Sequence, residues 1–215
     1  MPRLLPEAPE HVPAREKLLD ACFGPDRHLK TSQMLRQDRL PADGLAFAML
    51  GGRLRPAAVI GRPARDDTRA DGHRLIGTLR FWHISAGSAG PALLLGPIAV
   101  EPKWQSEGWG ALLMRHGLAE AERLGHAAVV LVGDAPYYRR FGFQQALTER
   151  LVLPGPVERE RFLGLELVPG ALEDACGPVV ATGALARKPD VSTLSTLSLS
   201  PLTEQTTIPT HATAR

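Results

Sequence analysis

The stretch Val100-Glu101-Pro102-Lys103-Trp104-Gln105-Ser106-Glu107-Gly108-Trp109-Gly110-Ala111 decides how the chain is read. Just before it, Leu93 to Val100 is apolar on both faces and is stopped by Pro102, the pattern of a buried strand. Just after it, Ala111, Met114, Leu118, Ala121 and Gly125 recur at helical spacing. Glu120, Glu122 and Arg123 point elsewhere, and Gly125 is a natural stop. Ala127 to Val132 is then a second buried strand. Strand, helix and strand in so short a span form a βαβ-type unit, which implies parallel pairing.

Between the first strand and the helix lie Gln105, Gly108 and Gly110. Glycine lets a ligand come close to the backbone. A helix N-terminus adds unpaired N–H groups and a partial positive charge. Together they form a cradle suited to a pyrophosphate. A P-loop would need Gly-Lys-Ser/Thr, which the chain lacks. The dinucleotide fingerprint needs G-x-G-x-x-G directly after the strand and an acid about 20 residues on, and the spacing does not fit. What remains is Q-x-x-G-x-G, with a glycine-rich connector that binds nothing as the alternative.

The rest of the body reads as one α/β (α+β) domain around a central sheet. Ala14 to Ala21 predicts a short helix ending near Gly24. Asp26 is placed to cap a second helix with Leu29, Met34 and Leu35 facing inward. Strands are expected over Leu45–Leu50, more weakly over Ala57–Ile60, and over Leu75–Ile84 with Leu75, Gly77, Leu79, Phe81 and His83 on one face. Later strands are expected over Arg161–Val168 and Val179–Thr182. The domain is assigned residues 1–187. Residues 188–215, rich in Ser and Thr, cannot bury enough surface to offset their ordering entropy and are expected to be a disordered tail.

Composition narrows the function. The 215 residues are 44% hydrophobic and 22% charged, enough for a packed core. A formal charge of +2 gives no basic field for nucleic acid or anionic membrane. Cys22 and Cys176 lie far apart, and the seven histidines include no HExxH pair, so no metal is expected. No apolar run approaches the ~18–20 residues of a membrane span. The N-terminus lacks a signal-peptide core, and a cytoplasmic location is expected.

After the strand ending at Val132 comes Gly133-Asp134-Ala135-Pro136-Tyr137-Tyr138-Arg139-Arg140-Phe141-Gly142-Phe143, which holds both tyrosines of the chain. The Q-x-x-G-x-G turn resembles the acetyl-CoA signature of the GNAT superfamily of acyl-CoA N-acyltransferases. Tyr138, Gly142 and Phe143 match that family's Y-x-x-x-G-F element. The resemblance spans about Leu75 to Phe143 and continues more loosely through Phe162 to Leu172, where it is similar to small bacterial predicted N-acetyltransferases. Gly51 to Arg74 is longer than the usual hairpin turn there and reads as an insertion.

The resemblance implies a twisted mixed sheet splayed between two parallel strands, with acetyl-CoA as co-substrate and no metal. It implies that Ile98, Ala99 and Val100 offer backbone groups to the pantetheine and the thioester carbonyl. It places the pyrophosphate on the N–H groups of Gln105, Ser106, Glu107, Gly108, Trp109, Gly110 and Ala111, with Asp134 near the cofactor. Tyr138 would protonate the departing thiolate; a phenol, with its ordinary pKa of ~10, holds its proton at neutral pH. For the general base, His83 has a suitable intrinsic pKa and Glu101 comes directly after the strand. The acceptor would be the primary amine of a small molecule or peptide, and relatives often form homodimers. A non-catalytic acyl-CoA sensor is the alternative of a different class.

Overall fold

The computed structural model describes residues 2–53 and 73–186. In chain order the elements are β1 (Arg3–Pro6), α1 (Val12–Phe23), α2 (Thr31–Met34), β2 (Ala46–Arg53), β3 (His73–Ala86), β4 (Pro91–Val100), α3 (Trp109–Arg123), β5 (Ala128–Val132), α4 (Ala135–Arg139), β6 (Arg150–Val152), β7 (Phe162–Glu166) and β8 (Cys176–Ala181). The expected strand Ala57–Ile60, the 188–215 tail and most of the 51–74 insertion lie outside the described residues.

The strands form one mixed sheet in the order β1-β2-β3-β4-β5-β7, with β8 paired to β3 and β6. β4 and β5 are parallel, as the βαβ pattern requires, and α3 connects them. Every other pair along the main path is antiparallel.

Both faces of the sheet are covered. The buried side of α3, built from Ala111, Leu113, Met114, Gly117 and Ala121, lies on one face. At Gly117 the helix backbone rests on Leu79 and Phe81, with no room for a Cβ. The sequence pattern had marked Leu118 in that place; it is only partly buried. Leu18 and Leu19 of α1 cover the other face, over Ala48, Leu50, Leu75 and Ala99. Leu75 therefore faces α1, while Leu79 and Phe81 pack with α3's side of the core. A register shift skips Ile76 opposite β2 and breaks the strict alternation, so Leu75 does not share a face with Leu79.

The helix expected after Asp26 is two short pieces instead: a 3-10 turn at Pro25–Leu29 and α2, entered through extended Lys30. Leu35 is buried, but Leu29 is 84% exposed and Met34 56% exposed.

The entry to α1 is fixed by charge. The Glu7 carboxylate, 4% exposed, is held by Arg15 of α1 and Arg80 of β3. Arg80 binds it in a two-pronged fashion, with Nε at 2.8 Å. Burial pushes the Glu7 carboxyl above the usual range, although Arg15 pulls it down. Glu7→Ala would leave the shielded Arg80 without its anion and Arg15 with Glu16 alone. Loss of about 3–5 kcal/mol of stability in urea denaturation is expected; a loss under about 1 kcal/mol would show that water replaces the carboxylate there.

Candidate active site

The two parallel strands part company almost at once. Only Leu93↔Val129 and Leu94↔Val130 pair, although β4 runs on to Val100 and β5 to Val132. β4 stays on β3 instead, through Leu79↔Ile98, Thr78↔Ala99 and Gly77↔Val100. β5 stays on β7 along its whole length. A register shift between Leu79 and Phe81 sets Gly96 and Pro97 against the single residue Arg80, one extra residue in β4, at the point of divergence. A bulge bends its strand and re-aims the residues beyond it. Pro97 has no N–H to leave unpaired on the open side.

The open side carries polar backbone. The Glu101 N–H donates to Ile76 on the β3 side. By alternation, Ala99 also faces β3, and Ile98 and Val100 face the gap. The Val100 carbonyl is accordingly taken by the Gln105 side-chain amide at 2.8 Å. Gln105 thus closes the end of the strand with its side chain.

Beyond it the chain turns into α3. Ser106 has φ +66 and Gly108, the residue before the helix, φ +88. A left-handed backbone at Gly108 is cheap for glycine alone, and a Cβ there would stand in open space, so conformation and not crowding selects the residue. No side chain caps the helix. Among the described residues the N–H groups of Ser106 through Ala111 have no acceptor. Trp109 packs partly on the core and donates its indole N–H to Glu107 at 3.0 Å.

The gap widens into a cavity of about 690 Å³. Its floor is Leu95 to Ile98 of β4, and its far wall is Leu131 to Asp134 with Tyr137 and Tyr138. The third wall is Phe23, Arg27 and Leu29 to Gln33 with Arg36; the fourth is Pro156 to Glu158 with Arg161. Tyr138 is set by Gly133, whose missing side chain would lie 2.2 Å from the Tyr138 ring. Its ring stands edge-on to Tyr137 and Phe143. Burial, with smaller contributions from Tyr137 and Asp134, pushes the Tyr138 phenol up to about 12. The Tyr137 hydroxyl reaches to within 2.9 Å of where a Gly110 Cβ would stand, so the tyrosine pair and the α3 N-terminus are neighbours.

The structure places Ile98, Asp134 and Tyr138 on the cavity wall, while Val100, Gln105 and the 106–111 amides lie at the end of β4 and the start of α3, which the Tyr137 hydroxyl joins to the cavity; the Gln105 N–H itself is already bonded to the Pro102 carbonyl. Ala99 lies on the strand but turns its backbone to β3. Two candidates are not brought there. His83 pairs with Leu93, where the strands are still joined, and its ring lies 5.5 Å from that of His126. Glu101 is bound to Arg74 at 2.7 Å and Lys103 at 3.4 Å and does not line the cavity. Arg36 was missed by sequence reading, since a lone arginine among short helical turns carries no motif. Among the described residues no group of three His, Cys, Asp or Glu is placed to hold a metal, and no helix is long and apolar enough to cross a membrane.

A mixed sheet parted between two parallel strands beside an uncapped helix is the arrangement of the GNAT fold, and the comparisons with known proteins agree on that fold. Residues 64–145 match the family described as acetyltransferase (GNAT) domain. Over those residues the chain is similar to the GNAT superfamily. It is 29% identical over 173 residues to the uncharacterized N-acetyltransferase YhbS of Escherichia coli K12, covering 80% of this chain and 92% of that one. A crystal structure of E. coli YhbS in complex with CoA superposes with a TM-score of 0.62 at 26% identity, over 87% of this chain and 95% of that one. A GNAT family acetyltransferase from Brucella melitensis, in complex with acetyl-CoA, gives 0.56 at 24% identity over 85% and 96%, a likeness of fold.

Gly133→Ala forces the Tyr138 ring out of its place. A stability loss of about 1–3 kcal/mol in urea denaturation, with a changed near-ultraviolet circular dichroism spectrum, is the expected result. An unchanged spectrum would show that the ring is not held by this contact.

Proposed function

We propose that the protein transfers the acetyl group of acetyl-CoA to the primary amine of a small molecule or peptide by direct attack on the thioester. The observation that carries this is the gap between β4 and β5, open from the bulge at Gly96–Pro97 to the uncapped N-terminus of α3. In this account the diphosphate lies on the amides of Ser106 to Ala111, where unpaired N–H groups and the helix dipole meet it. The pantetheine runs back along β4, bonded by Ile98 and Val100. An amide of that edge polarises the thioester carbonyl as charge builds on its oxygen.

The neutral amine attacks the carbonyl carbon; a C–N bond forms and the C–S bond breaks. The sulfur leaves beside the Tyr138 hydroxyl. A phenol near 12 is too weak an acid to hand its proton freely to a thiolate whose conjugate acid lies near ~8.5. Tyr138 therefore acts by hydrogen bonding to the sulfur, moving its proton only in concert with C–S cleavage. Neither His83 nor Glu101 reaches the cavity, and in this account the amine's proton departs to the carboxylates that line it, Asp134 or Glu158, or to solvent through its open side.

Tyr138→Phe is expected to lower kcat by about 100-fold while acetyl-CoA binding in calorimetry stays within about threefold. Equal turnover would remove Tyr138 from the chemistry. Gly110→Leu would crowd the Tyr137 hydroxyl and cover the amides. Acetyl-CoA affinity is expected to fall about 100-fold, the loss of two hydrogen bonds to a charged group. Thiol release with a panel of amines separates the enzyme from a non-catalytic acyl-CoA sensor, which would bind and not turn over.

A further inference from the structure

The cavity carries four basic side chains, Arg27, Lys30, Arg36 and Arg161, against two acidic ones, Asp134 and Glu158. Three of the four are already engaged. Arg27 is bonded to Glu16 and to Asp20, the latter at 2.7 Å. Arg161 faces Glu158 at 3.8 Å. Lys30 lies over the Phe23 ring, 4.8 Å from its centre.

Arg36 is different. Its Nε donates to the Ser32 carbonyl at 3.1 Å and its Nη2 to the Ser32 hydroxyl at 3.3 Å. Its Nη1 has no acceptor among the described residues. It points at the bulge of β4, where a side chain on Gly96 would come within 3.8 Å of it. No carboxylate among the described residues pairs with Arg36.

We propose that Arg36 is the acceptor-recognition residue of the site, and that the acceptor is an amine of the amino-acid class whose carboxylate it binds. This rests on the acetyltransferase reading above. The position fits that class. Arg36 stands at the Gly96 end of the gap, opposite the end that leads to the α3 amides, so the diphosphate is out of its reach. An amine attacking beside Gly96 with a carboxylate one or two bonds away brings that carboxylate to the free Nη1. The Ser32 contacts hold the guanidinium plane from behind, leaving its front edge for a charged partner.

The electrostatics point the same way. Burial, helped by the nearby Arg27 charge, lowers the Arg36 guanidinium to about 10, still cationic at neutral pH. A shielded cation with no counter-charge gains more from an incoming anion than one already paired.

The test compares amino acids with their own carboxamides, using thiol release from acetyl-CoA by the full chain and calorimetry of acetyl-CoA alongside. The wild type should favour the acids by about 10–100-fold in kcat/KM, the value of a charge-assisted hydrogen bond. Arg36→Gln should bring that ratio close to one, mainly through KM for the acid, and Arg36→Lys should restore part of it. Carboxamides used as well as acids, no turnover of any acid, or a ratio unmoved by Arg36→Gln would each overturn the inference. So would loss of acetyl-CoA binding in Arg36→Gln alone, which would put Arg36 in the donor site. Failure of the wild type to bind acetyl-CoA would instead overturn the acetyltransferase reading, and this inference with it.

Discussion

Two parallel strands that stop pairing after two residues set the terms for everything else in this molecule. Backbone groups inside a sheet are costly to leave without partners. The gap is tolerable because each strand is fully laddered on its other side, β4 by β3 and β5 by β7. Where β4 ends, its last carbonyl is taken by Gln105. What remains unpaired is a row of amides, and amides gathered at a strand edge and a helix start invite an oxygen-rich, negatively charged molecule. The bulge, the α3 entry and the tyrosine wall all serve to keep that edge open without letting the sheet fall apart.

Charge is managed in two opposite ways on either side of α1. At its start, Glu7 meets two guanidinium groups and neutralises them as a structural joint. At its end, in the cavity, Arg36 has only the oxygens of one serine. The first arrangement is complete within the protein, a tie between sheet and helix. The second has no counter-charge among the described residues.

Much of this was legible from residues alone. Gln105, Gly108 and Gly110 marked the turn between a buried strand and an amphipathic helix, and the run from Gly133 to Phe143 marked the segment that follows β5. Such features depend on local chemistry: a left-handed residue, a close approach, a helix entry. What escaped depends on partners distant in sequence. β1, only Arg-Leu-Leu-Pro, shows no alternation and is a strand because β2 offers it an edge. β6 is three residues that β8 completes. The inward roles given to Leu29 and Met34 failed because helical spacing was assumed where Lys30 is extended. His83 and Glu101 were chosen for chemistry and nearness in sequence, but the ladder that fixes β4 on β3 carries His83 to the joined end, and Glu101 is tied to Arg74 and Lys103 off the cavity wall.

The segment from Pro25 to Arg36 contributes one wall to the cavity and little to the interior, since Leu35 is its one deeply buried apolar side chain. Its turns are short, and its other large apolar groups stand in water. A wall built this way is nearly independent of the scaffold behind it. Natural drift, or a protein engineer, can rewrite that wall while the bulge, the parted strands and the α3 entry stay as they are.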